Sequence, residues 1–402
     1  MRTYVGLIAA CLWLGATQLA RANPETPYLS DGRSMALGGV GVASNDYASS
    51  VWQNPAGLAS VKRLSVTGTL IPLLLRIDSP FPNLATGQPE RVKGDWQLGG
   101  LGDVAAGYRV HERIVLGFTT YVFSGYSVKF TNAFAGQDLS TKAFAGEIQL
   151  PIAVNITKNL SLAAGYRMTF ARISADVPLP PMPPTTTTFT ESSTTLGGWN
   201  FAGVSVGIRY RFNDMFRAGF SYRNKVTVGL DGDTKVKVAG QTQKSSASGE
   251  YALPHTFKFG GELRLMQQRL VLASDFAVWL YRDSHPANDA QGRPGSWRNA
   301  VRGTLGAEYA VRDDVFVRGG FYLGNSATSD RGASQLQIGP SDLLYGFSAG
   351  AGMLLRETMM LDFALGYSGG TVGKVSADVN PSGAGTYHGH SILGCVSINY
   401  GI

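Results

Sequence analysis

The sequence predicts an all-β fold: a transmembrane antiparallel β-barrel of about 14 strands with an N-terminal hatch, or plug, inside its lumen. Three observations lead there. Short and long gaps alternate between the candidate strands. Within the strands, apolar and polar side chains alternate. Beyond the first residues, no run of about 18 apolar residues is available for a membrane helix. A membrane-embedded chain must then satisfy its backbone as a closed barrel. Composition agrees, with 51 Gly, 16% charged and 10% aromatic residues, as expected for many short strands with one apolar face.

The chain opens with a targeting segment. Arg2 supplies a positive start, Val5 to Leu14 an apolar core, and Ala20-Arg21-Ala22 a small-x-small cleavage site. Residues 1–22 are read as a signal peptide, and the mature chain starts near Asn23. Ile8-Ala9-Ala10-Cys11 loosely resembles a lipobox, but the apolar run before Cys11 is short for a lipoprotein signal. Once Cys11 has left, Cys395 is the remaining thiol, so neither a disulfide nor a cysteine metal site is expected. The pI of about 9.3 is high, yet no cluster of Lys and Arg marks a nucleic-acid surface.

Residues 23–62 do not read as strands. They are rich in small residues, as in Gly38-Gly39-Val40-Gly41-Val42-Ala43 and Asn54-Pro55-Ala56-Gly57-Leu58-Ala59. A barrel of about fourteen strands has a lumen that its own side chains do not fill. The segment is therefore expected to fold inward as a hatch. A flexible periplasmic tail is the alternative.

The barrel is assigned to 63–402. Its strands are read at 63–75, 96–109, 115–128, 144–156, 160–175, 199–211 and 216–230, then 252–265, 270–281, 298–311, 315–324, 344–355, 358–368 and 390–402. Short gaps such as Asn213-Asp214, Gln267-Gln268 and Arg356-Glu357 alternate with long ones at 76–95, 129–143, 176–198, 231–251, 282–297, 325–343 and 369–389. Tight periplasmic turns and long outer loops are the habit of outer-membrane barrels.

Parity sorts the faces. Phe257, Phe259, Leu263 and Leu265 oppose Lys258, Glu262 and Arg264. Val204, Val206, Ile208 and Tyr210 oppose Ser205, Gly207, Arg209 and Arg211. The apolar sets are assigned to lipid and the polar sets to the lumen. Tyr166, Tyr210, Tyr222 and Tyr309 are candidates for an aromatic girdle. Strand 115–128 is an exception, with apolar residues on both parities. Either it packs on the hatch, or Gly117, Phe118, Phe123 and Gly125 mark a lateral apolar path, with glycine allowing a bend.

Enzymatic chemistry is not expected. His111, His255, His285, His388 and His390 lie in no catalytic or metal motif. His388 and His390 share a parity, but two loop-edge histidines seldom bind metal. No cofactor is expected. Arg109, Arg167, Arg223, Lys258, Arg264, Arg302 and Arg318 fall on the lumen parity, partly balanced by Asp103, Glu262, Asp275 and Glu308. One reading is a structural network that anchors the plug. The other is that cations among Arg167, Lys258 and Arg302 hold a ligand carboxylate.

A family resemblance adds to this. Met35-Ala36-Leu37-Gly38-Gly39 through Asn54-Pro55-Ala56-Gly57-Leu58 resembles the hatch of the FadL/TodX family, outer-membrane transporters of long-chain fatty acids and other hydrophobic compounds. Leu253-Pro254 with Gly260, Leu272 to Asp275 and Trp279 resembles its central strand pair. Trp297-Arg298-Asn299, Gly306-Ala307-Glu308-Tyr309 and Val317-Arg318-Gly319-Gly320 resemble its next hairpin, and Gly394 to Tyr400 its closing strand. Two departures stand out. The loop 176–198 is Pro- and Thr-rich where the family builds a capture groove, and the chain ends Tyr400-Gly401-Ile402 rather than on an aromatic residue.

The resemblance implies passive transport of hydrophobic small molecules across the outer membrane of a Gram-negative bacterium, with Asn54, Pro55 and Ala56 gating in the hatch. Partners would be a fatty acid-like ligand, outer-membrane lipid and the barrel assembly machinery. The alternative is a non-transport barrel acting as a secretion adaptor or surface-interaction protein on the same scaffold. The plug disfavours an open polar porin.

Overall fold

The computed structural model describes residues 30–82, 88–134, 136–178, 190–238, 241–284, 297–335 and 339–402. The expected leader, the mature start at Asn23, most of the Pro/Thr-rich stretch and His285 lie outside these residues.

Among the described residues, eighteen strand segments form one sheet. The first are β1 (Leu64–Pro82), β2 (Pro89–Lys93), β3 (Gln97–His111), β4 (Ile114–Phe134), β5 (Gln137–Asn155) and β6 (Leu160–Asp176). Next come β7 (Ser192–Arg211), β8 (Phe216–Arg223), β9 (Val226–Val238), β10 (Gln241–Leu253), β11 (Thr256–Leu265) and β12 (Leu270–Trp279). The last are β13 (Ala300–Arg312), β14 (Val315–Gly324), β15 (Leu344–Leu355), β16 (Met359–Gly370), β17 (Gly373–Val375) and β18 (Gly385–Gly401). β1 pairs with β18 from Ser65↔Gly401 to Asp78↔His388 and closes the sheet. β2 and β17 are short additions in outer loops. β8 with β9, and β10 with β11, are each one wall strand broken once. The wall is thus a closed barrel of 14 antiparallel strands.

The breaks face one another. Pro254 has no N–H for the ladder, and Pro254-His255 lies between β10 and β11, opposite Asn224-Lys225. Asn224 repairs the gap: its Oδ1 accepts from the Val204 N–H at 2.6 Å and its Nδ2 donates to the Ala202 carbonyl at 3.1 Å.

The short turns are tight because residues there take left-handed backbone, with Gln267 at φ 54° and Arg356 and Glu357 at φ 52° and 60°. The gap read at 231–251 is instead mostly strand. β9 and β10 pair from Val226↔Leu253 to Val238↔Gln241. The gap 129–143 likewise holds the ends of β4 and β5, paired to Phe134↔Gln137. Beyond the membrane both faces of a strand meet water, so the apolar alternation that marks a strand is not required there.

The predicted parity holds in the wall. Phe259, Leu272, Leu305 and Phe363 are exposed on the outer face, while Lys258, Glu262, Thr304 and Asp362 are buried inside. Tyr166, Tyr210 and Tyr309 are exposed on the lipid parity, and Tyr222 is half-buried.

Residues 30–62 are almost wholly buried and contact the inward face of the barrel. They form α1 (Gly32–Ala36) and two 3-10 turns, Ala48–Trp52 and Pro55–Ser60. Asp31 caps α1 by accepting from the Ser34 N–H at 2.7 Å. Ion pairs and hydrogen bonds tie this segment to the wall. Arg33 forks onto Glu308 of β13 at 2.8 and 2.9 Å. Asp275 of β12 accepts from the Gly41 and Val42 N–H groups at 2.8 and 3.1 Å.

Candidate functional site

Asn54 joins the N-terminal segment to the wall. Its side-chain amide donates to the Val42 and Ile208 carbonyls, each at 2.9 Å, and its Oδ1 accepts from the Ala56 N–H at 3.0 Å. Asn54 therefore caps the turn Pro55–Ser60, with Pro55 at its first position, where a missing N–H does no harm. Pro55 and Ala56 pack beside Gly207 of β7, where a β-carbon would overlap Asn54 Oδ1. The same device recurs. Gly107 and Gly117 leave room for Leu58, Gly260 for Val42, and Gly306 and Gly320 for Leu37. Gly117 thus serves close packing against the N-terminal segment.

Trp52, two residues before Asn54, sits among wall cations and aromatic rings. The Arg223 guanidinium lies 3.9 Å from its ring and the Lys258 ammonium 4.8 Å. Tyr121 meets it edge-on at 4.4 Å and Phe123 stacks at 5.9 Å. Tyr121 donates to Glu147, a fully buried acid that also takes Arg167 at 2.8 Å and Arg223 at 3.0 Å. Arg167 donates further to the Asn224 carbonyl at 3.1 Å.

β4 is irregular just above this cluster. Its register against β5 shifts between Val122 and Ser124, so Phe123 is the extra residue of a β-bulge. The inward parity changes there: Val115, Thr119 and Tyr121 are buried before it, Val128 and Phe130 after it. The apolar residues on both parities before it have another cause: Leu116 and Phe118 are exposed on the outer face, while Val115, Tyr121 and Phe123 pack on the N-terminal segment. Of the residues read as a lateral path, Phe123 is buried inside and Phe118 is exposed on the outer face. The β3–β4 ladder also stops at Gly102↔Val122. Beyond it, the next backbone bond from this part of the chain to β4 is from the Asp95 N–H to the Lys129 carbonyl at 2.8 Å. In the interval Gly125 lies so close to the Gly100 carbonyl that a β-carbon would overlap it.

A cavity of about 1330 Å³, partly open to solvent, occupies the outer end of the lumen and reaches Phe123, Ser124 and Gly125. Leu73 and Leu101 form part of an aliphatic side, and Trp279, Tyr322 and Arg302 part of an aromatic and cationic one. The Arg302 guanidinium stands over Trp279 at 4.9 Å. Of the three candidate cations, Arg302 lines this cavity. Arg167 is buried on Glu147, and Lys258 faces Trp52 and Gln53. The structure does not bring the three together. His388 and His390 also line the cavity, their rings 4.1 Å apart, with His390 Nδ1 at 2.7 Å from the Tyr367 hydroxyl. Among the described residues no group of three or more His, Cys, Asp or Glu could hold a metal ion.

Sequence reasoning passed over Trp52, Tyr121 and Glu147. Glu147 carried a usable signal: a lone acid on the same parity as Ala143, Ala145 and Gln149 in an alternating strand. Trp52 had none, because its segment has no period.

A closed 14-stranded barrel with a lipid-ready outer face and a filled lumen defines an integral outer-membrane protein. Residues 15–400 match the family described as outer membrane protein transport protein (OMPP1/FadL/TodX), and the chain belongs to that family. It is a family of transport channels in the Gram-negative outer membrane that pass hydrophobic compounds. Among solved structures, a Pseudomonas aeruginosa FadL homologue superposes with a TM-score of 0.77 at 15% identity, over 92% of this chain and 98% of that one. The P. putida toluene transporter TodX gives 0.69 at 14% identity, over 94% and 99%. The Ralstonia pickettii toluene transporter TbuX gives 0.65 at 15% identity, over 94% and 99%. No curated protein sequence matches the chain.

Proposed function

We propose that this chain carries hydrophobic small molecules, long-chain fatty acids or small arenes, passively across the outer membrane, and that residues 23–62 act as its hatch. The observation that carries the reading is a coincidence of three features at one place. The apolar cavity reaches Phe123–Gly125, the β3–β4 ladder ends there, and Trp52 of the hatch packs beneath it. Ligand entering from outside binds against Leu73, Leu101 and the aromatic side. Arg302 meets a carboxylate where the ligand has one. A shift of Trp52 and Asn54-Pro55-Ala56 then frees Phe123, and the ligand leaves through the interrupted ladder beside Gly125. Toluene transport in two of the similar structures fits a cavity lined by aromatic rings.

The test is deletion of Phe123. Because this residue is the extra one in the bulge, removing it restores a continuous register and keeps Val128 and Phe130 facing inward. Uptake of labelled oleate and toluene by a complemented strain should fall towards that of the uncomplemented strain. Unchanged uptake, with the variant correctly inserted, would end the lateral-gate reading.

A further inference from the structure

The opposite end of the lumen holds a second recess, of about 1270 Å³ and partly open to solvent. Its floor is Ala59 and Ser60, the end of the N-terminal segment. Its walls are the β3–β4 and β5–β6 turns and the adjoining ends of β7 and β8. Five cations line it: Arg113, Lys158, Arg209, Arg211 and Arg217. Among the described lining residues the one acid is Glu112.

Two of the cations are held by the N-terminal segment. Arg209 Nη1 lies 2.8 Å from Asp46 Oδ1, and Arg217 Nη1 lies 3.0 Å from both Asp46 oxygens. Ser60 donates to the same carboxylate at 2.9 Å. Arg217 also meets Glu262 at 2.8 Å. Among the described residues Arg113, Lys158 and Arg211 form no ion pair. Arg209 and Arg217 themselves line the recess, with side chains 10% and 13% exposed, so solutes there can reach them.

Cations of one sign lining a concave recess concentrate anions, and guanidinium forks fit carboxylate and phosphate oxygens bidentately. We propose that this recess is an anion site. It takes the carboxylate or phosphate group of a small ligand, and the bound anion competes with Asp46 for Arg209 and Arg217. A bound anion therefore loosens the N-terminal segment at the Asp46 anchor. By linkage, removing the Asp46 charge must in turn strengthen anion binding. The site is independent of what the outer cavity carries, so it extends beyond the transport reading.

The experiment is a calorimetric titration of the full chain in neutral detergent with inorganic phosphate and with octanoate, octanamide serving as the uncharged control. The triple variant Arg113→Gln, Lys158→Gln, Arg211→Gln should bind anions about tenfold more weakly or worse, and Asp46→Asn about threefold or more tightly. Equal binding of both anions would support a general anion site; binding of octanoate alone would support a carboxylate amphiphile. Wild-type affinity in the triple variant, or no anion binding by the wild type, would overturn the site. Unchanged affinity in Asp46→Asn would overturn the competition. Anion binding that survives deletion of Phe123 while uptake does not separates this proposal from the transport reading.

Discussion

Replacing Asn54 by Ala should undock the N-terminal segment without touching the barrel wall. Three hydrogen bonds go: two donated to the Val42 and Ile208 carbonyls, and one accepted from the Ala56 N–H. Asn54 is fully buried, so water does not replace them. At about 1 kcal/mol net for each bond, with the cap bond in the same range, docking loses about 3 kcal/mol. That is roughly a hundredfold rise in the open population. A native thiol reports it. Cys395 is buried in the same cluster as Met35 and Ala36 of the segment. Where reclosing outruns modification, maleimide labelling tracks the open population. Asn54→Asp supplies the control. It keeps an acceptor for the Ala56 N–H but aims a carboxylate at two carbonyls, so it should label faster still. Labelling of Asn54→Ala within about threefold of wild type would refute the assigned bonds, and so would an Asn54→Asp variant that behaves like wild type.

Other expectations rest on the same junction. Glu308→Gln strips the charge that Arg33 and Arg318 share at 2.8 and 2.6 Å. It should destabilise the folded barrel by about 3 kcal/mol or more, read as a lower midpoint in denaturant. Gly117→Val forces a branched side chain into Leu58 and should cost about 1–3 kcal/mol by overpacking; adding Leu58→Ala should recover part of it in a double-mutant cycle. For Asp46, burial alone would raise the carboxyl, but Arg217 and Arg209 outweigh it and hold it well below the usual carboxylate range. Its contribution to docking is therefore complete above the ordinary carboxylate range and is lost as pH falls through the depressed value. Pepsin cleavage of the segment should rise in strong acid in the wild type, whereas Asp46→Asn should be cleaved readily throughout.

The membrane-embedded wall was legible because lipid imposes a rule that can be read residue by residue. One parity must be apolar, so Val204 to Tyr210 and Phe257 to Leu265 announced their faces. The rule stops at the membrane boundary, and there the reading failed: β9 and β10 continue through a polar stretch that looked like loop. It also fails inside β4, where a bulge at Phe123 reverses parity, so Val115 and Tyr121 face inward at odd numbers and Val128 and Phe130 at even ones. Of the three candidate cations, inwardness was readable but depth was not. Whether Arg167 meets ligand or Glu147 depends on which residue of β5 stands beside it, a matter of register between strands.

The N-terminal segment obeys a different rule. It has no period because it forms no repeating face, yet its position is written twice. Its own residues supply Asn54, Arg33 and the N–H groups of Gly41 and Val42, and the wall supplies the complementary Glu308 and Asp275. The wall also supplies absences. Gly107, Gly117, Gly207, Gly260, Gly306 and Gly320 lie on six different strands, and each has no side chain where the segment approaches. A wall evolved only for its own stability would fill those inward positions, since a side chain there loses less chain entropy than glycine. Their emptiness means that the barrel is shaped around a docked segment. The segment is held by hydrogen bonds and ion pairs and also by buried apolar side chains, among them Met35, Leu37, Val51 and Leu58, which would be exposed if it left. For the hatch proposed above, opening must therefore break the polar anchors Asn54 and Asp46 and expose this packing together.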